Sequence, residues 1–388
     1  MADDEFVVTP YEITGRVDYD KLREQFGAQA LDQPLLDRIK RLAGGELHPL
    51  LARGVYYSHR DLTQLLDKFE KGQPFFLYSG RGPSGPLHTS HLVPFELCRW
   101  LQEKFRVPMY IQITDDEKFW FRPGLTREET RRWGIENLAD LLAVGFNPKR
   151  THVFFDTRSI GAMYPLAVDV AKRIPYSTVK AVFGFQPSQN IGLVFYTALQ
   201  TVPAFYPSWV EGRPVPCLIP CGIDQDPHFR VTRDVAESLG YPKPSLLHSR
   251  MLPGLLGEKV MSTTGDSADN ALFLNDPPKV VEKKIKHAFT GGRATVEEQR
   301  RLGATPEICS VWAAWRSRFA ASETEFQQVT NDCRSGRLMC GDCKMHLIDR
   351  VQTFFGEHQE RREKAKEIAE SLIIEQAPPG AGAARASG

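Results

Sequence analysis

At 388 residues the chain is too long for one small core and has room for two or three domains. Hydrophobic residues make up 41% and charged residues 25%, and 49 Lys+Arg against 48 Asp+Glu leave a net charge of +1, so contact with a nucleic acid has to come from a local basic patch and not from a global attraction. Seven cysteines are odd in number and too dilute for a disulfide scaffold, no apolar run reaches the length of a membrane span, and the acidic start from Met1 to Glu5 resembles neither a secretory leader nor an organelle presequence, so reduced thiols and a cytoplasmic protein are expected.

Residues 74–79 (Pro-Phe-Phe-Leu-Tyr-Ser) form a short aromatic and apolar run that predicts a strand. A Gly/Pro/Ser loop from Gly80 to Pro86 follows, then a helical pattern from about His91 to Phe105. A second apolar run, Val107 to Ile113, ends in Thr114-Asp115-Asp116-Glu117. Thr126 opens an amphipathic helix that runs to Leu142, with Thr126 and Glu129 spaced as a capping box. Val153 to Phe155 is a third strand candidate and Cys217 to Pro220 a fourth, with Pro220 expected at its end. About a hundred residues before the tail read as helices; in Gln359 to Glu375, Ile368 and Leu372 are placed on one apolar face. The Pro/Gly/Ala/Ser-rich stretch from Ala377 to Gly388 predicts disorder. Strand alternating with helix is the grammar of an α/β fold with a doubly wound parallel, Rossmann-like sheet, here followed by a C-terminal helical domain. In such sheets ligands sit beyond the carboxyl ends of the strands, where Tyr78, Asp115 to Glu117 and Gly222 to Gln225 fall.

Two segments carry anion chemistry. The strand ending in Gly80-Arg81-Gly82-Pro83-Ser84-Gly85-Pro86 runs directly into a helix start with His88 and His91. Backbone N–H groups of such a loop, with the positive end of the helix, suit a triphosphate. The imidazoles, three residues apart, can serve one spot where charge develops on phosphorus, and Arg81 adds a cation. The second segment, Lys259-Val260-Met261-Ser262-Thr263-Thr264-Gly265, is a polar loop with one lysine, suited to neutralising a leaving pyrophosphate. Either segment alone reads more simply as a surface turn or a solvated loop.

Together, Pro83-Ser84-Gly85-Pro86-Leu87-His88-Thr89-Ser90-His91 and Met261-Ser262-Thr263-Thr264 resemble the two signatures of class I aminoacyl-tRNA synthetases. Thr114 to Phe119, Cys217 to Arg230, Gly240 to Pro244, Val8 to Glu12 and Lys286 to Arg293 narrow the resemblance to tryptophanyl-tRNA synthetases of the eukaryotic and archaeal type, over about residues 6–375. The resemblance implies activation of L-tryptophan by Mg²⁺-ATP, release of pyrophosphate and transfer of the acyl group to the 3′ end of tRNA(Trp). It implies catalytic roles for His88, His91, Lys259, Ser262 and Thr264, and ATP contacts from Arg81, Gly82, Ser90 and Met261. Tyr78 and Gln112 would meet the indole nitrogen, and Glu117, Gln200 and Gln225 the α-ammonium. It also implies a homodimer and a division into an N-terminal extension with an active-site hairpin (1–69), a catalytic domain (70–275), a helical anticodon-binding domain (276–375) and the tail (376–388). Arg334, Arg337, Lys344, Arg361 and Arg362 are the phosphate-contact candidates of the helical part.

Two positions depart from the family pattern. Ser90 stands where the first signature has glycine, which lets adenine approach the backbone; Ser90→Gly is expected to leave activity equal or better. Val260 stands directly before Met261, displacing Lys259 by one. These departures motivate an alternative, a catalytically weakened paralogue that binds tRNA or tryptophan. Cys333, Cys340, Cys343 and His346 have the ligand types for zinc, but the stretch reads as helical and the resemblance implies no metal there.

Overall fold

The computed structural model describes residues 6–8, 13–14, 17–257, 260–261 and 268–382. A seven-stranded sheet organises them: β1 (Gln29–Ala30), β2 (Tyr56–Arg60), β3 (Phe76–Arg81), β4 (Met109–Ile113), β5 (Thr151–Phe155), β6 (Cys217–Gly222) and β7 (Ser245–Ser249). The order across the sheet is β1-β2-β7-β6-β3-β4-β5. From β7 to β5 all pairs are parallel, and β1 and β2 are added antiparallel at one edge. The chain moves outward through β4 and β5 on one side of β3 and through β6 and β7 on the other. The direction reverses between β3 and β6, which is the switch point where such sheets bind ligands.

Both faces of the sheet are covered at its centre, so β3 to β6 read as largely apolar runs and do not alternate. Leu77, Ile111, Val153 and Leu218 point into one core, and Phe76, Tyr78, Phe154 and Ile219 into the other. The first face is packed by α1 (Leu92–Phe105) and by the C-terminal helices. Next in the chain come α2 (Asp115–Phe121), α3 (Arg127–Leu142) and α4 (Asp156–Ala171). The capping box read at Thr126 and Glu129 is present: Thr126 Oγ1 accepts from the Glu129 N–H at 3.1 Å, and the Glu129 carboxylate accepts from the Thr126 N–H at 2.9 Å. The second face is packed by α4, α5 (Ile191–Leu199) and α6 (Asp226–Ala236). The C-terminal part is helical and ends in the 30-residue α8 (Cys340–Ala369), which follows α7 (Glu323–Arg334).

Four details differ from the sequence reading. Pro220 lies inside β6, a central strand, and not at its end. The β3–β6 ladder pairs Phe76 and Leu77 with Cys217 and Leu218 and goes no further, while the β6–β7 ladder continues to Gly222. The missing N–H of Pro220 thus falls on the β3 side, where the Ser79 hydroxyl donates to the Pro220 carbonyl at 3.2 Å. Ile368 is 38% exposed, and Ala365 and Ala369 form the buried stripe of that turn. Arg362 is turned inward onto α3: its Nε meets Asp140 at 2.9 Å, and it also pairs with Glu136. It pins α8 to the catalytic sheet. At the start of the tail Ala377 and Ala381 pack on the second core, and the Gly382 N–H donates to the Trp209 carbonyl at 3.3 Å, small residues letting the chain lie flat against the indole. Val7 and Val8 pair with Thr14 and Ile13 in the expected hairpin, whose tip lies outside the described residues. Among the described residues no helix is long and apolar enough to cross a membrane.

Candidate active site

A cavity of about 340 Å³ opens at the carboxyl ends of β3, β4 and β6. Tyr78, Arg81, Gly82, His88, Ser90, His91, Gln112, Glu117, Gln200, Gln225 and Met261, read from sequence as site residues, all line it. Lys259, Ser262 and Thr264 lie outside the described residues. Beside Met261, whose Sδ is 3.6 Å from Thr89 Oγ1, Val260 also lines the cavity, so the two distant signature segments meet at its rim.

At the end of the cavity by the glycine-rich loop the two imidazoles stack with ring centroids 3.5 Å apart. Burial, and after it the Arg81 charge, pushes His88 down to about 3 and His91 well below its usual range, so both are neutral at physiological pH. In a neutral imidazole the tautomer decides what it can do. The His88 N–H of the main chain donates to His91 Nδ1 at 3.1 Å, which places the ring proton of His91 on Nε2. Ser90 Oγ lies 2.7 Å from His88 Nδ1, and a donating hydroxyl there puts the His88 proton on Nε2 as well. That Nε2 is buried without a partner among the described residues and is left as a donor for the cavity. Arg81 donates through Nε to Asn137 at 3.4 Å and keeps Nη2 unpartnered among the described residues; burial lowers it to about 10, which still leaves it charged.

The serine that departs from the family pattern lies against His88, and this contact argues for a different outcome from the one expected of glycine at this place. Ser90→Gly removes the hydrogen bond between Ser90 Oγ and His88 Nδ1. The expected result is a fall in kcat of about 3- to 10-fold in pyrophosphate exchange, the worth of one such bond, with a smaller change in KM for ATP. Unchanged or raised kcat would show that the serine is a bystander.

At the other end Tyr78 reaches across from β3. Its hydroxyl lies 2.5 Å from Gln112 Oε1 and 3.0 Å from the Gln200 carbonyl, and the Gln112 amide donates to both oxygens of Asp156 at 3.0 Å. A phenol has one proton to donate, so the relay Asp156–Gln112–Tyr78 leaves a lone pair on the Tyr78 oxygen as an acceptor inside an aromatic wall, with Phe229 edge-on at 5.9 Å. Asp156 is pushed well up by burial and by Asp116, and Asp116 is pushed up in turn by burial and by Asp115, so the buried carboxyls share protons and do not carry a full set of charges. Asp115 is pushed up by burial too, and the Thr157 N–H and hydroxyl at the start of α4, at 3.1 and 2.6 Å, oppose that rise.

Between the two ends stands Glu117 in the first turn of α2. It accepts from Thr114 Oγ1 at 3.3 Å and from Lys118 Nζ at 2.8 Å. The close approach of both side chains to Gly82 explains the glycine: a Cβ there would lie 2.2 Å from Lys118 Cε and 2.8 Å from Glu117 Oε2. Gln200 Oε1 is buried and has no partner among the described residues, and Gln225 donates to Asp224 at 2.6 Å. Lys118, Asp224, His228 and Arg250 line the cavity too and were not singled out from the sequence. They stand beside residues that were, but charged residues following a strand carry no signal of their own until the strand ends converge.

The description "tRNA synthetases class I (W and Y)" matches residues 70–356. The tryptophan–tRNA ligase of Pyrobaculum calidifontis is 48% identical over 96% of this chain and 98% of its own length, and that of Saccharolobus solfataricus 47% identical over 94% of each. Among solved structures, the tryptophanyl-tRNA synthetase of Plasmodium falciparum superposes with a TM-score of 0.86 at 33% identity, covering 94% of this chain and 99% of that one. With a switch-point cavity, a histidine pair on a glycine-rich loop and these relatives along nearly its whole length, the chain belongs to the class I tRNA synthetases of the tryptophan and tyrosine family, alongside the tryptophan–tRNA ligases.

Proposed function

We propose that the cavity activates L-tryptophan with ATP to tryptophanyl-adenylate, releasing pyrophosphate, and that the chain then transfers the tryptophanyl group to the 3′ end of tRNA(Trp). The observation that carries the choice of amino acid is the Asp156–Gln112–Tyr78 relay, which ends in a buried acceptor among aromatic residues. The indole N–H is the only polar group of the tryptophan side chain and it only donates. A pocket built around that bond rejects phenylalanine by leaving the acceptor unpaired, at about 10⁴-fold discrimination.

Glu117 and the Gln200 Oε1 are the acceptors for the α-ammonium, and Gln225 borders them. The carboxylate oxygen attacks the α-phosphorus of ATP, the bond to the bridging oxygen of the β-phosphate breaks, and pyrophosphate leaves with that electron pair. No proton has to move, so the site needs positioning and charge neutralisation and no protein nucleophile. Nε2 of His88 and His91 and the Arg81 guanidinium supply the donors. Mg²⁺ belongs to the nucleotide in this reading and arrives on the phosphates. The loop with Lys259, Ser262 and Thr264 is assigned to the leaving pyrophosphate, and the hairpin of 1–69 to closure over the site.

We assign residues 70–275 to catalysis and the helices of 276–375 to the anticodon end of the tRNA. The compartment of this reading is the cytoplasm. A homodimer is supported by an apolar stripe on α4, where Ile160, Tyr164 and Val168 are 41%, 54% and 46% exposed at helical spacing. The test is isotope exchange between pyrophosphate and ATP with tryptophan, tyrosine or no amino acid. Exchange that depends on tryptophan is expected. Exchange with tyrosine alone, or none from a folded chain, overturns the reading.

A further inference from the structure

In Trp315-Arg316-Ser317-Arg318-Phe319 two arginines alternate with three residues that are buried. The segment follows the short helix Ser310–Ala314 and winds as a π-helix, a wider turn that carries an extra residue and swings side chains off the usual helical register. Such turns are strained and persist where their surroundings hold them. Here the turn before β2 does so. Arg316 Nε and Nη2 donate to the Arg53 and Gly54 carbonyls at 2.7 and 2.9 Å, and Arg53 in return donates to the Ala320 carbonyl at 3.3 Å and to the Ser322 carbonyl at 3.0 Å.

Arg318 reaches toward the sheet instead. Its side chain is 6% exposed, it pairs with Glu96 of α1, and its guanidinium lies over the Phe354 ring of α8 at 4.9 Å. Nη2 donates to the Thr89 carbonyl at 3.0 Å. Burial lowers Arg318 to about 9, which leaves it charged at physiological pH. A charge so far from water is costly unless its donors are matched, so partners from three elements define where the guanidinium stands. Thr89 is the residue between His88 and Ser90, in the three-residue turn Thr89–His91. Its N–H donates to the Leu272 carbonyl at 3.0 Å, and its hydroxyl meets Met261 Sδ at 3.6 Å. The amide side of the Thr89 peptide is thus held by the segment after the second signature, and the carbonyl side is held by Arg318.

We propose that Arg318 is a positioning residue for the histidine pair: it holds the Thr89 carbonyl from the helical part, with Glu96 fixing the guanidinium, and so sets where the His88 and His91 rings stand in the cavity. Arg318 is not among the residues that line the cavity, so it acts through Thr89 and not on a substrate. The proposal rests on the reading of that cavity as the site of adenylate formation. It makes the geometry of the histidine turn depend on how the helices of 276–375 are docked.

The experiment compares wild type, Arg318→Met, Arg318→Lys and the double variant Glu96→Leu/Arg318→Met in tryptophan-dependent pyrophosphate exchange, at a temperature where circular dichroism shows every chain folded. Arg318→Met should lower kcat by about 10- to 100-fold, the cost of a small misplacement of groups that act on the reacting atoms. KM for tryptophan should stay near the wild-type value. Lysine keeps the charge but donates from a point and not from a fork, so kcat should recover in part. The double variant strands no buried charge, yet it too lacks the donor to Thr89, and it should be as slow as Arg318→Met. Wild-type kcat in the double variant would trace the loss to an unpaired Glu96 and overturn the proposal, as would a loss confined to KM for tryptophan. A second measurement needs no activity: in ¹⁵N–¹H spectra of the histidine rings in free protein, the His88 and His91 signals should move in both methionine variants while His152, on β5, stays. Unmoved His88 and His91 signals overturn the proposal whatever the rates. Should wild-type exchange not depend on tryptophan, the proposed function falls, and the ring spectra still decide on Arg318.

Discussion

Replacing Glu117 with glutamine should cost amino-acid activation about 2–4 kcal/mol, some 30- to 1,000-fold in kcat/KM for tryptophan. Glu117 is buried and lines the cavity between its two ends, and the proposed function places the substrate's ammonium against it. Glutamine keeps the shape and one acceptor oxygen, so packing against Gly82 survives, but the charge that matches the ammonium is gone. Lys118, 2.8 Å away in the free protein, is then left facing a neutral amide and repels the incoming ammonium. Both effects act in one direction. The measurement is tryptophan-dependent pyrophosphate exchange, with ATP saturating. The loss should fall on tryptophan, with KM for ATP nearly unchanged. Near-normal kcat/KM would remove Glu117 from the amino-acid site.

His88→Asn should lower kcat of adenylate formation by about 10²-fold or more, with a small change in KM for tryptophan. The imidazole faces the phosphate end through a buried Nε2 with no partner among the described residues, and its other nitrogen is committed to Ser90. Its value lies in the transition state, when charge builds on the phosphoryl oxygens. The pH dependence follows from the direction of the shift. Burial and Arg81 push His88 down to about 3, so the ring stays neutral as pH falls through the usual histidine range. The rate should carry no histidine-like inflexion between about pH 5.5 and 8. A profile in which activity rises as pH drops through about 6.5, and loses that rise in His88→Asn, would mean that the charged ring is the working form and that the tautomer argument fails.

The catalytic half was largely legible in the sequence, for physical reasons. β3, β4, β5 and β6 are buried on both faces, and burial on both faces writes an uninterrupted apolar run. The Thr126 cap wrote its own start signal. The edge was not legible. β2 reads Tyr-Tyr-Ser-His-Arg, which carries no apolar pattern, because its polar side chains are satisfied only across the fold: Ser58 meets His248 at 3.1 Å and Arg60 holds Asp226 at 2.7 Å. The glycine-rich loop, Tyr78 and Gln112 could be named from resemblance, but Asp156 and the hydrogen bonds that join them could not. That Ser90 Oγ meets His88 Nδ1 depends on the side-chain rotamers of residues two apart, and that Tyr78 is left as the acceptor depends on Gln112 being spent on Asp156. The placement of Ile368 failed because a long helix crossing several neighbours changes which face is covered along its length.

Pro220 has a further consequence. Two parallel strands left side by side tend to zip to their ends, because every amide finds a carbonyl opposite. Beyond Leu218 that zip has a stop: residue 220 has no hydrogen to give to β3, and its carbonyl is occupied by the Ser79 hydroxyl. The crevice above it is therefore held ajar by covalent structure and does not wait for a ligand to wedge it open. In the proposed function, an arriving amino acid spends none of its interaction energy on prying the sheet apart, and what it would gain from the relay and from Glu117 stays available for holding the carboxylate against phosphorus.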